Sequence, residues 1–92
     1  MTEVVTLKLT SGEEIVSRVV SREEDHIVLD RPNMVALQPT NDGSLGIRLM
    51  PWIASNQDGE IKIFTAHIVG ETKPFADLEK GYLSETSGIQ LG

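Results

Sequence analysis

The side chains able to do chemistry in this chain are few and scattered. It holds two histidines, His26 and His67, far apart in sequence, and no cysteine. Without cysteine there is no thiolate nucleophile, no disulfide and no thiolate metal site. No His-x-x-x-His or similar ligand spacing occurs, so no metal site and no cofactor is expected. His26 at a strand start reads most simply as a partly exposed strand residue, and His67 as a group that hydrogen-bonds within the fold or lines a pore. No acid, base and nucleophile set can be named, which points away from an enzyme. The glycines of Gly43-Ser44-Leu45-Gly46 belong to a hairpin turn rather than to a phosphate loop. Aromatic planes are limited to Trp52, Phe64, Phe75 and Tyr82. Phe64, on an alternating strand, is expected in the core or a subunit contact, and Trp52, after Pro51, at a barrel end or an interface.

The elements that must position these groups are mostly strands. Val5, Leu7 and Leu9 alternate with Thr6, Lys8 and Thr10, the two-residue period of a strand with one buried face. Ser11-Gly12 supplies a tight turn. Ile15, Val16, Val19 and Val20 then put apolar groups on both faces, which suits a long bent strand serving both halves of a small barrel. Arg22 to Asp25 is a polar turn, and His26 to Leu29 a short strand. Pro32 cannot donate to a sheet ladder, so Asp30 to Asn33 is expected to interrupt that strand before Met34 to Leu37 resumes it. Asn41-Asp42-Gly43 predicts a hairpin, with Leu45, Ile47 and Leu49 alternating on the return. After a second polar turn at 55–59, one strand is expected over Glu60 to Val69. Pro74 and the stripe Phe75, Leu78 and Tyr82 predict a short helix from about residue 75 to 80, and the tail from Ser84 is expected to fray.

Ninety-two residues fit a single domain, spanning 1–92, and a core this small gains from oligomerisation. Hydrophobic residues at 39 % and charged residues at 24 % fit a folded, soluble chain. No apolar run is long enough for a membrane span, and the first residues lack a signal-peptide pattern, so a cytoplasmic protein is expected. Fourteen acidic against eight basic residues give a net charge of −6. That balance weighs against phosphate-rich partners, though local fields decide such binding. Short strands with tight turns suggest a small barrel of the SH3 or OB type.

The run Leu7-x-Leu9-x-Ser11-Gly12-x-x-Ile15-x-Ser17-x-Val19 resembles the first motif of the Sm-like family, with Ser17 where that family usually has glycine. Ile68-Val69-Gly70 looks like the family's Ile-Arg-Gly motif with valine in place of arginine, and Thr65-Ala66-His67 keeps the histidine of a Lys-His pair without its lysine. The resemblance covers roughly residues 4 to 70. The base-reading Asp-x-x-Met-Asn motif is not matched by Glu23-Glu24-Asp25-His26-Ile27. Asp30-Arg31-Pro32-Asn33-Met34 holds the same residue types in another order, as coincidence or as a displaced pocket.

What the resemblance implies is a mainly β, five-stranded SH3-like bent barrel (about 4–70); the N-terminal helix with which most of that family begins is expected to be absent, since only three residues precede the first strand, and the C-terminal helix and tail (about 74–92) could cover the barrel in its stead. Compact Sm-like proteins of bacteriophages look closest, which would place the chain in a bacterial cytoplasm. The family implies a homo-oligomeric ring of roughly five to seven subunits, with single-stranded RNA at its pore. The residues it points to for RNA are His26, Arg31, Asn33, His67, Gly70 and Lys73. Ring closure would pair Leu45 to Met50 of one subunit with Ile61 to Ile68 of the next, burying Leu45, Ile47, Leu49, Ile61, Ile63 and Phe64. The alternative is an SH3-like protein-interaction module without RNA binding, which the acidity and the missing base-reading asparagine favour.

Overall fold

A computed structural model describes residues 3–86. The chain forms β1 (Val4–Leu9), β2 (Glu14–Arg22), β3 (His26–Pro39), β4 (Leu45–Pro51), β5 (Glu60–Phe64), β6 (Ile68–Thr72) and α1 (Ala76–Thr86). The strands run in the order β4-β3-β2-β1-β6, with β5 also paired to β3, and every pairing is antiparallel. The result is mainly β with a C-terminal helix, as the sequence predicts; the expected five-stranded barrel is here an antiparallel sheet of six strands that does not close, compatible with a small bent barrel.

The opening hairpin follows its pattern. Gly12 sits at φ 96°, a left-handed conformation that glycine adopts without strain, and its N–H donates to the Leu9 carbonyl at 2.9 Å. Val5, Leu7, Leu9 and Ile15 point into the main core with Ile27, Leu29 and Ile63. Val4 and Val16 point the opposite way and pack with Tyr82 of α1, flanked by Val35, Leu49 and Leu83. The two-faced apolar pattern of β2 is thus explained: one face lines the main core and the other seats the helix.

β3 is a single strand of 14 residues, so Pro32 does not interrupt it. It marks a bend and a change of partner instead. On the side of β3 away from β2, Asp30 ends the pairing with β5 and Asn33 begins the pairing with β4. Arg31 lies between them at φ 53°, left-handed for a residue with a side chain. Proline is tolerated here because no ladder bond is required of its nitrogen. Opposite Arg31 and Pro32 the returning chain makes the whole excursion 52–59, anchored by Trp52 N–H to the Pro32 carbonyl (2.9 Å) and Arg31 N–H to the Gly59 carbonyl (3.0 Å). β4 and β5 are therefore two halves of one interrupted return strand, lying along the same side of β3.

The run 60–69 is not one strand. A 3-10 turn at Thr65–His67 divides it, so that β5 pairs with β3 and β6 with β1. The turn carries the chain from β3 to β1 across one end of the sheet, where Thr65 N–H meets the Asp25 carbonyl and the His67 carbonyl accepts from Thr10 N–H. The Asn41-Asp42-Gly43 hairpin forms as predicted, with Gly43 at φ 87°. The Asp42 carboxylate accepts from Ser44 N–H at 3.1 Å, and hydrogen bonds from the Ser44 and Thr40 hydroxyls hold it well below the usual carboxylate range. α1 runs to Thr86, past the weak point at Gly81, because Leu78, Tyr82 and Thr86 recur at helical spacing and are all buried. Phe75 precedes the helix and is 58 % exposed, so it does not join that stripe.

Candidate functional site at the bend of the third strand

The densest polar cluster surrounds the β3 bend. It originates in a register shift: Val16 faces Asn33 and Arg18 faces Asp30, which leaves Ser17 opposite two residues. A bulge of this kind strands backbone groups that must find other partners. Tyr82 supplies one. Its hydroxyl donates to the Asp30 carbonyl at 2.6 Å and accepts from Arg18 N–H at 2.9 Å. Ser17, also buried, places its hydroxyl 3.0 Å from the same carbonyl.

Charged side chains ring this knot. The Arg18 guanidinium lies 3.6 Å from the Asp30 carboxylate, 5.2 Å from the centre of the Tyr82 ring, and donates to the Thr86 hydroxyl at 2.8 Å. Arg31 donates to the Thr86 carbonyl, at the end of α1 where unpaired carbonyls accumulate. Its Nε lies 3.6 Å from Asp30 yet has no hydrogen-bond partner, and the Asn33 amide donates to the Arg31 carbonyl at 3.1 Å. A cleft of about 340 Å³ opens beside them, lined by Arg31, Asn33, Pro51, Gln57, Asp58, Glu85 and Thr86. Its one guanidinium is outnumbered by two carboxylates, with two neutral amides beside them. It can offer hydrogen bonds to a polar ligand but no net positive field for a phosphate.

The other residues singled out by the sequence lie apart from this cleft within one chain. Of the six, Arg31 and Asn33 come together. His26 stands opposite Phe64 across the β3–β5 pair, with its Nδ1 2.7 Å from the Asp25 carboxylate, whose acidity that contact strengthens. His67 lines a groove of about 270 Å³ with Trp52, Lys62, Phe64, Leu9 and Glu13. Gly70 faces Lys8 across the β1–β6 pair, and Lys73 lies 3.6 Å from Glu79. Among the six interface candidates, Ile63 is a core residue of the single chain at 5 % exposure, because its side of β5 faces the main core. Ile61 and Leu49 are half-buried, while Leu45, Ile47 and Phe64 are exposed. Trp52 is half-buried against the main core and its indole N–H points to Glu13 Oε1 at 3.3 Å.

No protein-family model matches this chain, and no curated protein sequence matches it. Among the described residues, no helix is long and apolar enough to cross a membrane, and no cluster of three or more His, Asp or Glu side chains could hold a metal ion.

Sequence reasoning missed Arg18, Tyr82 and Thr86 as parts of this cluster. The only signal was Tyr82 at the end of an apolar helical stripe, and its hydroxyl has no partner that periodicity could reveal. A second polar clamp was also missed. Arg22 bridges Glu71 (2.6 Å) and Glu3 (2.9 Å), tying the end of β2 to β6. The guanidinium hydrogen bonds pull the Glu71 carboxyl below its ordinary range and raise Arg22 further. A depressed carboxyl pKa contributes stability above the unfolded value, 4.5, that is lost as pH falls through the folded value. Glu71→Gln is therefore expected to flatten the acid limb of a melting-temperature profile below about pH 5 and to act weakly at pH 7, since the pair is exposed and worth at most ~1 kcal/mol. An unchanged acid limb would remove the clamp from the account.

Proposed function

We propose that this chain is a non-catalytic, Sm-like subunit that assembles edge to edge into a homomeric ring. The observation that supports this most is the sheet's two unpaired borders. Among the described residues β6 pairs only with β1, and β5 only with β3. Each border carries a large exposed apolar side chain, Val69 on β6 at 65 % and Phe64 on β5 at 46 %. Open edges of this kind recruit another strand unless they are blocked. Pairing β5 of one copy with β6 of the next satisfies both and generates a closed ring when the rotation closes. This replaces the pairing of β4 with the 61–68 run, because β4 and β5 share one side of β3 and a ring must join opposite borders.

Single-stranded RNA is the ligand such a ring would take. Arg31, Asn33, His26, His67, Gly70 and Lys73 are its contacting residues in this reading, with the cleft at the β3 bend as the polar site. A second reading, a protein-interaction module without RNA, is favoured by one observation: Arg18, Arg22, Arg31 and Lys73 each already lie within 4 Å of a carboxylate. Cations so engaged give little to phosphates.

Two measurements test these readings. Phe64→Asp or Val69→Asp is expected to reduce the native mass from the ring to smaller species while leaving the fold intact, both positions being exposed. An unchanged mass would sink edge pairing. Filter binding of uridine-rich and adenine-rich oligonucleotides at two salt concentrations should show salt-sensitive affinity that weakens with Arg31→Ala. No affinity for either sequence would leave the interaction module standing.

A further inference from the structure

Arg31 does two jobs that exclude one another. Among the described residues it is the one cation lining the cleft at the β3 bend, and it also holds the end of α1. A guanidinium grips a phosphate with two parallel N–H groups, either Nε with Nη2 or Nη1 with Nη2. The first pair is closed, because Nε is buried without a hydrogen-bond partner. The second pair is engaged: Nη1 donates to the Thr86 carbonyl, at the C-terminal end of the helix. A two-pronged contact between Arg31 and an anion must therefore take Nη1 from that carbonyl. Arg31 also sits at φ 53°, a strained backbone for a residue with a side chain and one of the kind that collects at switch points.

We infer that the last turn of α1 is a latch on the cleft, closed by Arg31 and released when Arg31 takes a phosphate; this rests on the RNA reading, with the backbone of the RNA as the phosphate's source. Charge points the same way. Glu85 belongs to that turn and lines the cleft. With the turn closed, Glu85 and Asp58 outnumber Arg31, and the cleft repels a phosphate. Withdrawal of the turn removes one of the two carboxylates and frees the guanidinium in one step. The Tyr82 hydroxyl keeps its bond to the Asp30 carbonyl and its ring stays buried, so the movement is confined to residues 83–86. The Arg18 donation to the Thr86 hydroxyl is the hold that opening must break, and it keeps the turn closed while no ligand is bound. Binding at the cleft and order at the end of the helix are then two readouts of one equilibrium.

Hydrogen exchange of the full chain, with and without a uridine-rich or adenine-rich oligonucleotide, tests it. Bound oligonucleotide is expected to speed exchange of the 83–86 amides about threefold, where a ligand resting on a closed helix would slow it, and to leave the β1 amides unchanged. Arg31→Ala should show the fast turn without any oligonucleotide. Coupling is reciprocal. Leu83 packs against the Tyr82 cluster, so Leu83→Ala loosens the turn from outside the cleft and is expected to tighten oligonucleotide binding about threefold. Slower or unchanged exchange of the turn in a chain that binds oligonucleotide overturns the inference. Weaker or unchanged binding by Leu83→Ala, in a chain of wild-type circular dichroism, overturns it too. The RNA reading fails separately, when neither oligonucleotide binds. The trigger then falls with it, and slow exchange of the turn in Arg31→Ala would remove the latch as well.

Discussion

Replacing Tyr82 by phenylalanine is expected to lower the stability of the folded chain by about 2 kcal/mol, although it removes a single oxygen atom. That oxygen accepts from the Arg18 N–H at the bulge between β2 and β3, and it shares the Asp30 carbonyl with Ser17. Tyr82 has no exposed surface, so water does not replace it. The variant keeps the ring that fills the space between α1 and Val16, and keeps the contact under Arg18. The loss therefore isolates the polar bridge from the packing. It corresponds to a fall in melting temperature of roughly 10 °C for a chain of this size. Hydrogen exchange should localise the weakening to the Arg18 amide and the last turn of α1. A loss below about 0.5 kcal/mol would show that the bulge does not depend on this hydroxyl.

Leu29→Ala is expected to cost more, about 3 kcal/mol. Leu29 is fully buried where three strands meet, opposite Val19 on β2 and Ile61 on β5. Truncation removes its contacts with the main core and leaves a cavity that flanking strands fill only partly. β5 should suffer first. It is short, among the described residues it pairs with β3 alone, and the buried side chain it contributes is Ile63. Since a domain of this size is stable by only about 5–14 kcal/mol, the loss is a large share of the total. Urea melts give the magnitude, and faster exchange of β5 amides than of β1 amides gives the location. Uniform loosening of all strands would contradict the placement of Leu29 as the post that holds β5.

Local signals make much of the fold legible in the sequence. Val5, Leu7 and Leu9 marked β1, Ser11-Gly12 its turn, and the two-faced apolar pattern of β2 its double duty. Asn41-Asp42-Gly43 located the hairpin tip, and Leu78 with Tyr82 the buried stripe of α1. What stayed hidden depends on partners distant in sequence. Pro32 reads as a breaker because no local rule says that β3 changes partner at that residue. The division of 60–69 has no glycine or proline to announce it; it arises because β5 and β6 answer to different strands. The cluster at the bend joins Arg18, Asp30 and Arg31 to Tyr82 and Thr86, and only the docking of α1 brings these groups together. The alternation at Leu45, Ile47 and Leu49 predicted an apolar face correctly, but alternation cannot say what covers it. Ile63 shows the converse. Its strand pattern matched an interface, and the main core of the single chain takes it instead.

The central claim is assembly through the sheet's open edges, and the native mass of the unmodified chain at micromolar concentration tests it most directly. A single closed species, several times the 10.1 kDa of one chain and dispersed by Phe64→Asp or Val69→Asp, is the result expected. A monomer at that concentration, with β5 and β6 left unpaired, would contradict it.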